Sequence, residues 1–138
     1  MTGRFEVLEH TADVGLRLTG DGPEEILEAA AEGLAALQGA WFPGEGEDHP
    51  VEVAASDHPG LLAAWLDELL YLEESHDAVF GGVTVRRVED GRAEAVVRLA
   101  PRGGRDLESV GVKAATLHRI RFERDPNGTW SADVYLDV

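Results

Sequence analysis

The apolar positions of this chain change their period along its length. Phe5–Glu9 and Val14–Leu18 read as two short strands. In the second, Val14, Leu16 and Leu18 alternate with Gly15 and Arg17, the twofold repeat of a half-buried strand. Glu9-His10-Thr11-Ala12-Asp13 forms a polar elbow between them. After Gly20-Asp21-Gly22, Pro23 suits a first helical turn, and Ile26, Leu27, Ala30, Leu34 and Leu37 recur at helical spacing. Glu24, Glu25, Glu28 and Glu32 take the other face, and Gly39 is a stop signal. Trp41–His49 reads as a loop and Val51–Ala55 as a short strand. Asp57 and Pro59 open a second helix, whose stripe runs from Leu61, Leu62 and Trp65 through Leu66, Leu69, Leu70 and Leu72.

From Val79 onward the twofold period returns. Val83, Val85 and Val88 lead into an Asp90-Gly91 turn, and Ala95, Val97 and Leu99 mark the returning strand. Lys113–Glu123 is strand-like, with His118, Ile120 and Phe122 alternating against Arg119 and Arg121. After the turn at Asp125-Pro126-Asn127-Gly128, Ala132, Val134 and Leu136 share one face of the last strand; Ser131, Asp133, Tyr135 and Asp137 share the other. Two early helices with about seven strands predict an α+β fold: two helices packed on a largely antiparallel sheet, a two-layer single domain spanning residues 1–138.

Charge alters the functional picture more than the structural one. The net charge is −15, placed unevenly: residues 1–78 carry 18 acidic and two basic side chains, residues 79–138 nine acidic and ten basic. Such a chain does not hold a nucleic-acid backbone by bulk attraction, so any service to nucleic acids runs through a protein partner. Without cysteine there are no disulfides, thiolate ligands or cysteine nucleophiles. No apolar run is long enough to span a bilayer, and Met1–Glu6 has no signal-like apolar core, so a cytoplasmic protein without membrane contact is expected. Walker, GxGxxG, HExxH and GxSxG motifs are all missing.

Three segments could carry chemistry. His10-Thr11-Ala12-Asp13 sets an imidazole and a carboxylate in a bend. Leu136-Asp137-Val138 places a side-chain carboxylate beside the terminal one, and converging carboxylates need a shared cation or protons. A hard, oxygen-liganded cation such as Ca²⁺ or Mg²⁺ suits them better than zinc, given five His and no Cys. Val112–His118 holds the single lysine, Lys113, whose side chain on a strand faces away from His118. Arg86, Arg87, Arg102 and Arg105 could meet an acidic partner or phosphate, or simply face solvent.

Taken together, these segments resemble one family. Glu9–Gly15 (EHTADVG), Trp65–Leu72 (WLDELLYL), Val112–His118 (VKAATLH) and the closing Leu136-Asp137-Val138 resemble, in order, the sequence blocks of the archeases. Two departures are Leu117, where an aromatic is common, and the acidic stretch after Tyr71. The resemblance implies an accessory protein, not an enzyme. It would promote guanylylation and turnover of the tRNA-splicing ligase that joins 3′-phosphate or 2′,3′-cyclic phosphate RNA ends to 5′-hydroxyl ends. It also implies a divalent metal, Ca²⁺ first with Mg²⁺ or Mn²⁺ as alternatives, held by Asp13, Asp137 and an oxygen of Val138. His10 and Lys113 would be supporting residues. Two other functions stand beside it: a general chaperone or interaction module, and a metal-dependent hydrolase with His10 as base.

Overall fold

The computed structural model describes residues 3–9 and 13–138, the Glu9 side chain excepted. Strands β1 (Arg4–Glu9) and β2 (Asp13–Gly20) precede helix α1 (Pro23–Leu37). Then come β3 (Glu47–Ala54), α2 (His58–Ser75), β4 (Ala78–Glu89), β5 (Arg92–Pro101), β6 (Ala114–Arg124) and β7 (Trp130–Asp137). Every strand pairing within the sheets is antiparallel. Among the described residues no helix is long and apolar enough to cross a membrane.

The elements begin and end where local chemistry dictates. Pro23 sits in the first turn of α1, and Gly39, at φ +63°, follows its end in the left-handed conformation that a side chain disfavours. Asp57 caps α2 by accepting a hydrogen bond from the Gly60 amide at 2.8 Å. Asp90 and Gly91 both take positive φ, as a tight hairpin turn requires. β3 starts earlier than its apolar run suggests, because Glu47–Pro50 pair with Val96–Leu99 of β5 despite being polar.

The α+β class, the helix pair and the seven antiparallel strands match expectation. Where one sheet was expected, the strands divide into two, β1-β2-β7-β6 and β3-β5-β4. The helices pack on both: α1 against β1, β2 and β7 of the first sheet and β4 of the second, α2 against β6 and against β3 and β4. Helix α1 is therefore buried on several sides, at Ile26, Leu27, Ala29, Ala30, Ala31, Leu34 and Ala35, as a helix lined by neighbours should be. Trp65 of α2 is fully buried, and its indole N–H donates to the Leu27 carbonyl of α1 at 2.8 Å. One continuous core joins both helices and both sheets.

Candidate functional site at the strand ends

The register of the first sheet brings three distant parts of the chain to one place. Asp13, the first residue of β2, lies opposite Asp137, the last of β7, and Asp137 lies opposite Ala114, the first of β6. The Lys113 amide, just before β6, donates to the Asp137 carbonyl at 2.8 Å. Because Leu16, Leu18, Ala132, Val134 and Leu136 are all in the core, period two puts Asp13 and Asp137 on the opposite, outer face. Directly opposed residues on one face hold their Cβ atoms within about 4.5–5.5 Å of each other.

Asp13 is poorly satisfied there. Its Oδ1 is buried and without a hydrogen-bond partner, the only buried side-chain acceptor in that state among the described residues. Its Oδ2 lies 3.7 Å from an Arg119 guanidinium nitrogen. An unpaired buried carboxylate oxygen is costly, and a second carboxylate opposite adds repulsion. A hard cation would relieve both, so the donor set fits one chemically. Yet among the described residues no group of three or more His, Asp or Glu side chains forms a cage. Two side-chain carboxylates and main-chain oxygen are what the site offers. Val138, the third expected ligand, is exposed next to Asp137. His10 lies outside the described residues.

The wall beside Asp13 is built by a bulge. Between the pairs Thr116↔Tyr135 and Arg121↔Asp133, β7 advances two residues and β6 five, so three extra residues loop out. The strict alternation expected for Lys113–Glu123 therefore fails: the strand begins at Ala114, and Leu117, His118 and Arg119 are all exposed. Arg119 sits at φ +59° and lays its guanidinium over the Tyr135 ring, 4.3 Å from the centroid. Tyr135 in turn covers Gly15, where a Cβ would come within 2.8 Å of the ring.

Farther along the same face, Asp133 accepts from Arg17 at 3.0 Å and from Arg121 at 3.3 Å. Burial pushes the Asp133 carboxyl up, but the hydrogen bonds and charges of the two guanidiniums outweigh it and hold it below the usual carboxylate range. The linkage has one sign. A depressed folded-state pKa gives stability that is present above the unfolded value and lost as pH falls through the folded one. The advantage of the wild-type protein over Asp133→Asn should thus shrink progressively below about pH 4. Urea midpoints of the two proteins between pH 7 and pH 3 would show it.

Lys113 also borders a second feature. It lines an open cleft of about 550 Å³ with Gln38, Leu70, Glu73 and Arg102 among others, and neither Asp13 nor Asp137 borders that cleft. Burial raises the Glu73 carboxyl there, against the opposing Gln38 hydrogen bond and Arg102 charge. The contact of Lys113 with the carboxylate pair that the structure shows is the main-chain one to Asp137. Of the arginines singled out earlier, Arg87 pairs with Glu94 and Arg105 with Glu45, both in solvent-exposed ion pairs. Arg119 and Tyr135 were not anticipated, and no residue pattern marks a left-handed arginine.

Comparisons with known proteins agree across the length of the chain. The profile of the Archease protein family (MTH1598/TM1083) matches residues 5–138. Protein archease of Thermococcus kodakarensis is 37% identical, over 98% of this chain and 99% of the relative. That of Thermococcus gammatolerans is 36% identical, again over 98% and 99%. Among solved structures, protein 1598 of Methanobacterium thermoautotrophicum superposes with a TM-score of 0.74 at 28% identity, covering 97% of this chain and 98% of the other. An archease of Thermotoga maritima, described as a possible chaperone, shares the fold with a TM-score of 0.63 at 24% identity, over 96% of each chain.

Proposed function

Because the chain belongs to the archease family, we propose that it is an accessory protein that activates the tRNA-splicing RNA ligase by promoting its guanylylation and turnover. The role is an accessory one and not that of a stand-alone enzyme. The observation that carries the reading is the buried, unpartnered Oδ1 of Asp13, a residue paired with Asp137 across the register. These two carboxylates and a main-chain oxygen of Val138 would hold a divalent metal, Ca²⁺ first and Mg²⁺ or Mn²⁺ as alternatives. When bound, such an ion supplies concentrated positive charge beside phosphate or carboxylate oxygens.

The rest falls to the protein's own groups. Asp13 and Asp137 provide charge. The Lys113 amide fixes the strand end that carries Asp137. Ca²⁺ takes about six to eight oxygens, so two carboxylates and one main-chain oxygen leave room for water or for an oxygen of the partner. An incomplete set at the strand ends of β2 and β7 suits a site completed against another protein. The charge of −15 suits a helper that meets RNA only through the ligase.

The test is guanylylation of purified ligase with catalytic amounts of this protein. Asp137→Ala and Asp13→Ala, each shown to be folded, should lose the stimulation. Undiminished stimulation by both would remove the metal site from the mechanism. The competing reading, a general chaperone, has exposed Leu117 and Tyr71 in its favour. It predicts that aggregation of unrelated clients is suppressed equally well by Asp13→Ala.

A further inference from the structure

Resting on the cation reading above, we propose that Arg119 is a built-in counter-cation of the Asp13 site, which competes with the divalent ion and sets its affinity. Four observations converge on this residue. The three-residue bulge exists only on β6 and carries Arg119 out of the ladder and toward β2. Arg119 holds φ +59°, a conformation that costs an arginine energy and persists only where something else holds it. What holds it is the Tyr135 ring beneath the guanidinium and the Asp13 carboxylate 3.7 Å away. The carboxylate is nonetheless only half served: Oδ2 faces the guanidinium, and Oδ1 is buried without a partner.

That combination describes a substitute, not a permanent ion pair. A structural arginine on a buried carboxylate binds both oxygens as a fork at 2.7–2.9 Å, a geometry of roughly twice the strength of a neutral bond. Here the contact is single, long and open to solvent, with the Arg119 side chain 47% exposed and that of Asp13 18% exposed. Such a pair is weak and easily exchanged. A divalent ion at Asp13 and Asp137 carries twice the charge of Arg119 and would repel it at this range. Occupancy by metal and closure of Arg119 onto Asp13 therefore oppose each other. Release of Arg119 removes one of the two contacts that hold the bulge, so Leu117, 64% exposed, lies on the segment that metal occupancy would loosen.

The experiment is calorimetric titration of the full chain with CaCl₂, using wild type, Arg119→Gln and Arg119→Lys. Arg119→Gln should bind Ca²⁺ about three- to fivefold more tightly than wild type, the factor that a weak exposed ion pair represents. Arg119→Lys keeps the charge but loses the flat stacking surface, and should fall between the two. A second readout is independent of affinity: in NMR spectra the Arg119 side-chain signals should show a ring-current shift from Tyr135 that disappears at saturating Ca²⁺. Equal or weaker binding by Arg119→Gln overturns the proposal, as does a ring-current shift that survives saturation. If wild type binds no divalent cation, the metal reading itself falls and takes this inference with it. If wild type binds and Arg119→Gln binds no better, only the inference falls.

Discussion

Replacing Asp13 by Asn is expected to weaken divalent-cation binding by about a hundredfold or more while leaving the metal-free protein as stable as wild type. The two halves of this expectation come from the same geometry. A ligand's charge contributes directly to ion affinity, and loss of even an outer-shell partner costs about ten- to a hundredfold. Asparagine keeps the shape of Asp13 and removes the charge. Stability should change little, because Oδ1 has no hydrogen bond to lose, and Oδ2 has only the long, weak Arg119 contact, whose loss leaves the Tyr135 ring to hold the bulge. Relief of repulsion from Asp137 works the other way. Calcium titration and thermal melts in chelator separate the two quantities. Wild-type affinity in Asp13→Asn would show that Asp13 is no ligand. A large loss of stability would show that the residue serves the fold.

The reverse pattern is expected of Trp65→Ala, which should cost about 3–5 kcal/mol, the range for removal of a large buried aromatic. Trp65 is completely enclosed, and its indole N–H joins α2 to the Leu27 carbonyl of α1. Both helices touch both sheets, so a cavity at their junction loosens every layer. A domain of ordinary stability has about 5–15 kcal/mol to lose, so this variant should be unfolded at moderate urea concentrations. Chemical denaturation provides the measure, and a cost under about 1 kcal/mol would mean that the core closes around the gap. Trp65→Phe should cost less, since it gives up the hydrogen bond and part of the volume only.

These contrasts reflect what a one-dimensional pattern can carry. Helix starts are local, and Pro23, Asp57 and Pro59 announce them. The Asp90-Gly91 turn is local as well, and the alternation Ala132, Val134, Leu136 fixes the inward face of β7 without reference to any partner. Division into two sheets is not local. It depends on which strands find each other around α1, whose alanines look like a single apolar face until neighbours on several sides are in place. The site divides in the same way. Asp13 and Asp137 are legible as carboxylates at strand ends, and pairing of β2 with β7 puts them together. Arg119 is not legible, because its neighbours Leu117, His118 and Ile120 continue a plausible strand pattern straight through the bulge. The placement of Lys113 is half legible: its block is recognisable, but the hydrogen bond from its amide to Asp137, and its place beside the cleft at Gln38, come from the pairing of β6 with β7.

One contact of α2 bears on how the molecule behaves in a crowd. β6 is an outer strand of its sheet, and an outer strand with free main-chain donors invites a second chain to zip onto it. Asp67 of α2 takes up one of those donors, the Ala115 amide, at 2.9 Å. On the other sheet, β3, one of the two outer strands, carries Pro50, which has no donor to offer, with Glu47, Asp48 and Glu52 around it. On these two of the four outer strands, resistance to filament-like stacking is thus written into a helix side chain and a proline. Such a guard would suit the accessory role proposed above, in which the end of a sheet meets a partner without sticking to copies of its own chain.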